Sequence, residues 1–239
     1  MDKVMHNRTA VISGGSQGIG LATAAAFLER GYRVAICGRS ADKLAAARTT
    51  LGADASTLLT RACDLTVRDD VSAFAKTVDD WTGGRLDVLV NNAGQFVPGG
   101  VVADPENILP DLLAANLYSA VWLTRELLPQ LRNANASAQI LNVSSVAALE
   151  AYPPGPAYSV SKFAMRGYSV ALREELRPEG IRVVDIVPGA TYTPSWEASG
   201  VDPHRLMAAE DVALAIAHAT ELSSRASYEL AILRPTAAD

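Results

Sequence analysis

Short apolar runs alternate with longer amphipathic stretches along the whole chain. Residues 8–13 (RTAVIS) end in the glycine-rich stretch GGSQGIG, after which LATAAAFLERG reads as a helix closed by Gly31. RVAICGR (33–39) predicts a second strand and ADKLAAARTTLG a second helix. The alternation continues with a strand at 57–63, a helix from about 67 to 81, a strand at 86–90 and a long helix within 105–132. A strand at 139–143, a helix at 157–176 and a strand at 182–187 follow. A helix near 209–222 and the run ELAILR (229–234) complete the order. Apolar strands alternating with helices predict an α/β fold, a parallel sheet covered on both faces. No solenoid repeat, low-complexity tract or linker breaks the pattern, so residues 1–239 are expected to form one domain.

Composition narrows the partners. A chain of 239 residues that is 49% hydrophobic can bury one large core. A net charge of −5 argues against nucleic acid or an anionic membrane as partner. MDKVMHNR holds no apolar signal core, and no apolar run approaches membrane length, so a soluble cytoplasmic protein is expected. Cys37 and Cys63 each end a strand-like run and are expected to be neighbouring free thiols in a reducing compartment. Those cysteines and the scattered His6, His204 and His218 show no metal-ligand spacing, so no metal is expected.

The candidate chemistry centres on SVAALEAYPPGPAYSVSK. Ser145 precedes Tyr158 by thirteen positions (158 − 145), and Lys162 follows four later (162 − 158). Residues four apart share a helix face, so Tyr158 and Lys162 can address one space. A free phenol titrates at about 10, and a nearby cation pulls that value toward the working range. Chance alone supplies roughly 0.1 Tyr–Lys pairs at this spacing in a chain of this composition, so the pair needs context.

The turn after the first strand provides some. Gly14, Gly18 and Gly20 follow a G-x-x-x-G-x-G spacing, close to the fingerprint that lets backbone approach a dinucleotide at a helix N-terminus. The same turn also matches G-x-S-x-G, with Ser16 as an α/β-hydrolase nucleophile. No earlier strand exists to supply an oxyanion loop, and the later histidines sit in a connector and inside a helix, which disfavours hydrolysis.

Together with CDL (63–65), NNAG (91–94), Asn116, NVSS (142–145), YSVSK (158–162) and PGATYT (188–193), the order and spacing of these motifs resemble the short-chain dehydrogenases/reductases over nearly the whole chain. The resemblance implies a Rossmann-type, doubly wound parallel sheet of seven strands with helices on both sides. It implies that Tyr158 is the general acid/base of hydride transfer between a carbonyl and an alcohol. Lys162 then tunes Tyr158 and binds the nicotinamide ribose, Ser145 holds the carbonyl oxygen, and Asn116 holds a water on a proton path. Gly14, Ser16, Gln17, Gly18, Ile19 and Gly20 are implied to face the cofactor phosphates. Asp64 and Leu65 would meet the adenine, Asn92, Ala93 and Gly94 the adenosine ribose, and Pro188, Gly189, Thr191 and Thr193 the carboxamide. Asp185 departs from the family, which often has asparagine at this position before the Pro-Gly. The tail after the last strand departs too, lacking the usual glycines. A non-catalytic dinucleotide sensor on the same fold is the competing reading, disfavoured by the intact Ser145, Tyr158 and Lys162.

The second strand bears on cofactor choice. Gly38 stands where NAD-type members carry an acid, and Arg39 follows, with Ser40 beside it, so NADP(H) is expected over NAD(H). Asp42 is placed to cap the next helix. Gln17 occupies a position where many NADP-dependent relatives carry a second cation, which leaves the 2′-phosphate only one. Gln95, Phe96, Tyr152, Pro153, Tyr192 and Trp196 are candidate substrate walls for a small carbonyl or alcohol in a fairly open, mostly apolar site. Leu112, Leu113, Leu117, Val121 and Leu128 make the long helix apolar over more than one buried stripe. The resemblance implies that the long fourth and fifth helices of two subunits pack together, with a second contact often making a tetramer, so a homodimer or homotetramer is expected.

Overall fold

The computed structural model describes residues 8–102, 108–134, 138–196 and 200–237. His6 and residues 105–107 of the expected long helix lie outside these. Seven strands run in the chain: β1 (Thr9–Ser13), β2 (Arg33–Gly38), β3 (Leu58–Ala62), β4 (Val88–Asn91), β5 (Gln139–Val143), β6 (Arg182–Pro188) and β7 (Leu230–Leu233). They form one sheet in the order β3-β2-β1-β4-β5-β6-β7, and every pairing is parallel. The helices are α1 (Gly18–Glu29), α2 (Ala41–Leu51), α3 (Arg68–Thr82), α4 (Ile108–Leu113), α5 (Ser119–Arg132), α6 (Pro156–Leu176) and α7 (Ala209–Ala219). None of the described helices is long and apolar enough to cross a membrane.

Strand alternation divides the core into two layers. Val11, Ala35, Leu89, Ile140 and Val183 face one side with Phe74, Leu123, Leu127 and Leu172, from α3, α5 and α6. Ala10, Ile12, Val34, Ile36, Val90 and Val184 face the other with Phe27, Leu44, Val212 and Ile216, from α1, α2 and α7. β1, β4 and β5 are buried at every position and β2 and β6 at all but one or both ends, which is why apolar residues dominate them, while the edge strand β3 is only partly buried.

The long helix is not uniform. Between α4 and α5 the backbone makes a π turn at Ala114–Tyr118, where the Ser119 N–H reaches the Ala114 carbonyl. The extra residue in that turn shifts the helical phase, and Asn116 points into the core with almost no exposure. Sequence periodicity carries no signal for such an insertion.

Capping also differs from expectation. Ser40, not Asp42, caps α2, because its Oγ accepts the Lys43 N–H at 3.3 Å while Asp42 sits within the first turn. Cys37 and Cys63 are buried free thiols. A hydrogen bond to Cys63, together with burial, pushes the Cys37 thiol well above its usual range.

Candidate active site

The strand order reverses between β1 and β4, and at the C-terminal edge of the sheet there lies a cleft of about 1370 Å³. Ligands of open parallel sheets bind at such a switch point. One wall is the turn after β1. Gly14 has φ +66°, and a Cβ at Gly20 would lie 2.2 Å from the Gly14 carbonyl oxygen, so α1 abuts the turn only because Gly20 has no side chain. Ser13 Oγ accepts the N–H groups of Asn92 and Ala93, both at 2.9 Å. The Asn92 amide donates to the carbonyls of Ser13 at 2.9 Å and Gly14 at 3.2 Å. Asn92 thus buttresses the turn with its side chain. No side chain caps α1 and no acid lies in its first turn, so its amide end stays open. An open helix N-terminus behind a glycine turn fits a pyrophosphate.

At the adenosine end, Asp64 Oδ1 accepts the Thr66 N–H at 2.9 Å and the Thr66 hydroxyl at 2.7 Å. Those bonds hold its carboxyl below the usual range, with Arg39 acting in the same direction. Arg39 is exposed on the rim, beside Gly38. Lys43 lies there as well, its Nζ donating to Gln17 Oε1 at 2.9 Å. The position expected to lack a second cation therefore holds one by side-chain contact.

The opposite end contains the Ser145, Tyr158 and Lys162 set. Ser145 leaves β5 extended, at φ −173°, and its Oγ accepts the Ala147 N–H at 3.2 Å. It lines the cleft together with Tyr158. Tyr158 and Lys162 both lie on α6, whose first residue, Pro156, is preorganised for a helix start. Burial raises the Tyr158 phenol above its ordinary value, against the expectation that Lys162 lowers it, and Ser145 opposes the rise. The Lys162 ammonium lies 5.7 Å from the Tyr158 ring centroid and donates to the Val143 carbonyl at 3.1 Å. Burial lowers it to about 8, with Asp185 pulling the other way.

Asn116 stands behind the cleft wall. Its Oδ1 accepts the Gln95 N–H at 2.7 Å, and its Nδ2 donates to the Gln95 carbonyl at 3.0 Å and to Ser161 Oγ at 2.9 Å. Its side chain works as a clamp between the segment after β4 and α6.

Phe96 packs edge-on to Tyr158 at 5.2 Å and tilted against Tyr152 at 5.8 Å. A Cβ at Gly155 would meet Phe96 at 2.7 Å, so the Pro-rich lip closes on that ring only with glycine there. The lip is tied to α6 by Tyr152 N–H donating to Ser159 Oγ at 2.8 Å. Gln95, Pro153 and Trp196 also line the cleft. Tyr192 does not. Thr191 bridges to Met207 and faces the cleft, and the next residue turns the other way, into a separate cavity with His204 and Leu206. The cleft is open and lined more by apolar than by polar surface, as expected, and it also holds Asp111 and a Glu150–Arg234 ion pair at 2.8 Å. Sequence reasoning missed Lys43, Glu150 and Arg234. Lys43 lies four residues beyond Arg39, and that spacing was its one available signal.

A glycine-turn dinucleotide cleft with a Ser–Tyr–Lys set at its far end defines a nicotinamide-dependent oxidoreductase of the Rossmann type. The family model for short chain dehydrogenases matches residues 8–203, and the chain belongs to that family. It is 32% identical over 197 residues to the uncharacterized oxidoreductase YusZ of Bacillus subtilis (strain 168), spanning 82% of this chain and 69% of that protein. Its fold is similar to that of Pseudomonas aeruginosa RhlG, solved with NADP, at a TM-score of 0.88 and 28% identity over 96% of each chain. A metagenomic short-chain oxidoreductase in complex with NADP matches at a TM-score of 0.82 and 30% identity, covering 99% of this chain and all of that one. The protein is an NAD(P)-dependent oxidoreductase with a small-molecule substrate.

Proposed function

We propose that this chain, as one domain, moves hydride between NADP(H) and a carbonyl/alcohol pair, with Tyr158 as general acid/base. The observation that carries the reading is that Ser145, Tyr158 and Lys162 together line the dinucleotide cleft, with Lys162 one helical turn beyond Tyr158 on α6. The bound nicotinamide supplies or accepts the hydride. In reduction, Ser145 Oγ donates to the substrate oxygen and fixes it beside the phenol. Tyr158 then gives its proton to that oxygen as charge develops there. Lys162 favours departure of the proton by stabilising the phenolate, and holds the nicotinamide ribose. Phe96 and Tyr152 shield the reacting oxygen from water, with Gln95, Pro153 and Trp196 as the outer substrate wall.

NADP(H) is favoured over NAD(H) because position 38 offers no carboxylate to repel a 2′-phosphate, while Arg39 and Lys43 place two cations on that rim. Two similar solved structures contain NADP. The protein is expected to assemble as a homodimer or homotetramer through α5 and α6. Val160, Phe163 and Val170 stand exposed on α6 and Tyr118 on the π turn, an apolar stripe outside the core.

A panel of ketones, acyl thioesters and sugars, followed by the absorbance of reduced cofactor, tests the activity. Tyr158→Phe should lower turnover at least about a hundredfold while cofactor still binds. Retained turnover overturns the role of Tyr158.

A further inference from the structure

Below the site lies a buried charge that the proposed reaction does not use. Asp185 sits on β6 in register with Asn142 of β5 and faces α6 with only 1% of its surface exposed. Ser144 Oγ donates to its Oδ1 at 2.6 Å; burial raises the carboxyl above its ordinary value, while this bond and the cations Arg166, Lys162 and Arg173 oppose that rise. Its Oδ2 faces Arg166 Nη1 at 3.8 Å, and neither of these two atoms has a hydrogen-bond partner among the described residues. Arg166 is one helical turn beyond Lys162 on the same face of α6 (166 − 162 = 4). Lys162 in turn donates to the carbonyl of Val143, the residue before Ser144.

We propose that Asp185 is a positioning residue for Lys162, its buried carboxylate supplying the counter-charge that holds the lysine as an ammonium against the Val143 carbonyl. The proposal rests on the reading of Lys162 given above. Every charged group facing Asp185 is a cation on α6: Arg166, Lys162 and, farther along, Arg173, whose guanidinium also faces Glu229. From the β5 side come Ser144 and Asn142, neither of which titrates near neutrality. Lys162 faces Tyr158 and Asp185, and Asp185 opposes the burial that lowers the ammonium to about 8. An asparagine at this position keeps a partner for Ser144 but carries no charge. The carboxylate matters because it carries a net charge in a buried, weakly screening site, and that charge acts on the cations of α6.

The test reads Lys162 directly in protein without cofactor. The chain has four lysines, Lys3, Lys43, Lys76 and Lys162, so lysine labelled with carbon-13 at Cε gives four signals, with Lys162→Met used only to assign the fourth. Asp185→Asn is expected to lower the Lys162 titration by about half a pH unit or more, the scale of one charge acting over several ångströms of protein interior. Arg166→Gln, which removes a competing cation, is expected to raise it. A purely structural role for Asp185 does not produce opposite signs. An unchanged titration in Asp185→Asn, or shifts in the same direction in both variants, overturns the proposal. Should Asp185→Asn fail to fold, Asp185→Ala combined with Ser144→Ala, which removes the charge together with the hydroxyl bonded to it, decides alone: a fall in the Lys162 titration supports the proposal and no change overturns it. The alkaline limb of carbonyl reduction should move with the titration. A titration that moves while the limb stays fixed supports the Asp185–Lys162 coupling and overturns instead the role of Lys162 in turnover.

Discussion

The Asn116 amide donates to Ser161 Oγ at 2.9 Å, joining the π turn to the residue beside Lys162 on α6. Through Gln95 the same side chain also holds the segment after β4. Asn116→Ala strands these buried groups, and the expected cost is about 2–4 kcal/mol in urea unfolding, as usual for several buried polar groups left without partners. Turnover should fall further than cofactor affinity does, because the clamp borders Lys162 and the Phe96 wall. A loss under about half a kcal/mol would show that the clamp contributes little.

Lys162 is expected to destabilise the protein that uses it. Its folded value of about 8 lies below the ordinary lysine value of 10.5, so the unfolded chain binds more protons between those limits. Stability from this group therefore rises with pH across that window and carries the full burial penalty below about 8. Lys162→Met should be the more stable protein at pH 7, by up to about 3 kcal/mol. That advantage should shrink as pH rises from about 8 toward 10.5. Urea midpoints of both proteins across the window check this, and a pH-independent difference contradicts it.

Cofactor choice should follow the rim of the adenosine end. Arg39→Ala and Lys43→Ala are each expected to weaken NADPH binding about tenfold, the scale of a lost charge-assisted contact, and NADH binding far less. Gly38→Asp should reverse the preference. Its new Cβ would meet only Ser16 Oγ, at 3.2 Å, a side chain able to turn away. Fluorescence titration of the wild-type protein with both cofactors decides the matter, and tighter NADH binding refutes the NADP(H) preference.

Gly167 lies inside α6 between the exposed Phe163 and Val170, and a Cβ there would meet nothing within 4 Å. Glycine inside a helix costs about 1 kcal/mol relative to alanine, and no contact among the described residues requires it. Close approach of a second copy would. Phe163→Glu combined with Val170→Glu should reduce the mass seen by light scattering at micromolar concentration to that of a monomer. A wild-type protein already monomeric under those conditions would count against assembly through this face.

What the sequence alone determined was everything that depends on local order. Strand and helix alternation follows from side-chain period, and each expected element was found within a few residues of its place. The parallel sheet followed because apolar strands separated by helices have no other way to cover both faces. The Ser145, Tyr158 and Lys162 spacing was legible because two of the three share a helix face and the third follows the preceding strand by two residues. Only the tertiary structure decided what depends on contacts between distant segments. The π turn that aims Asn116, the approach of Lys43 to Gln17 and the outward turn of Tyr192 leave no periodic trace. Nor did the sequence show that Asp185 faces Arg166 beneath Lys162. That arrangement arises because parallel pairing sets β6 beside β5 while α6 packs across both, and only packing in three dimensions brings their polar side chains together.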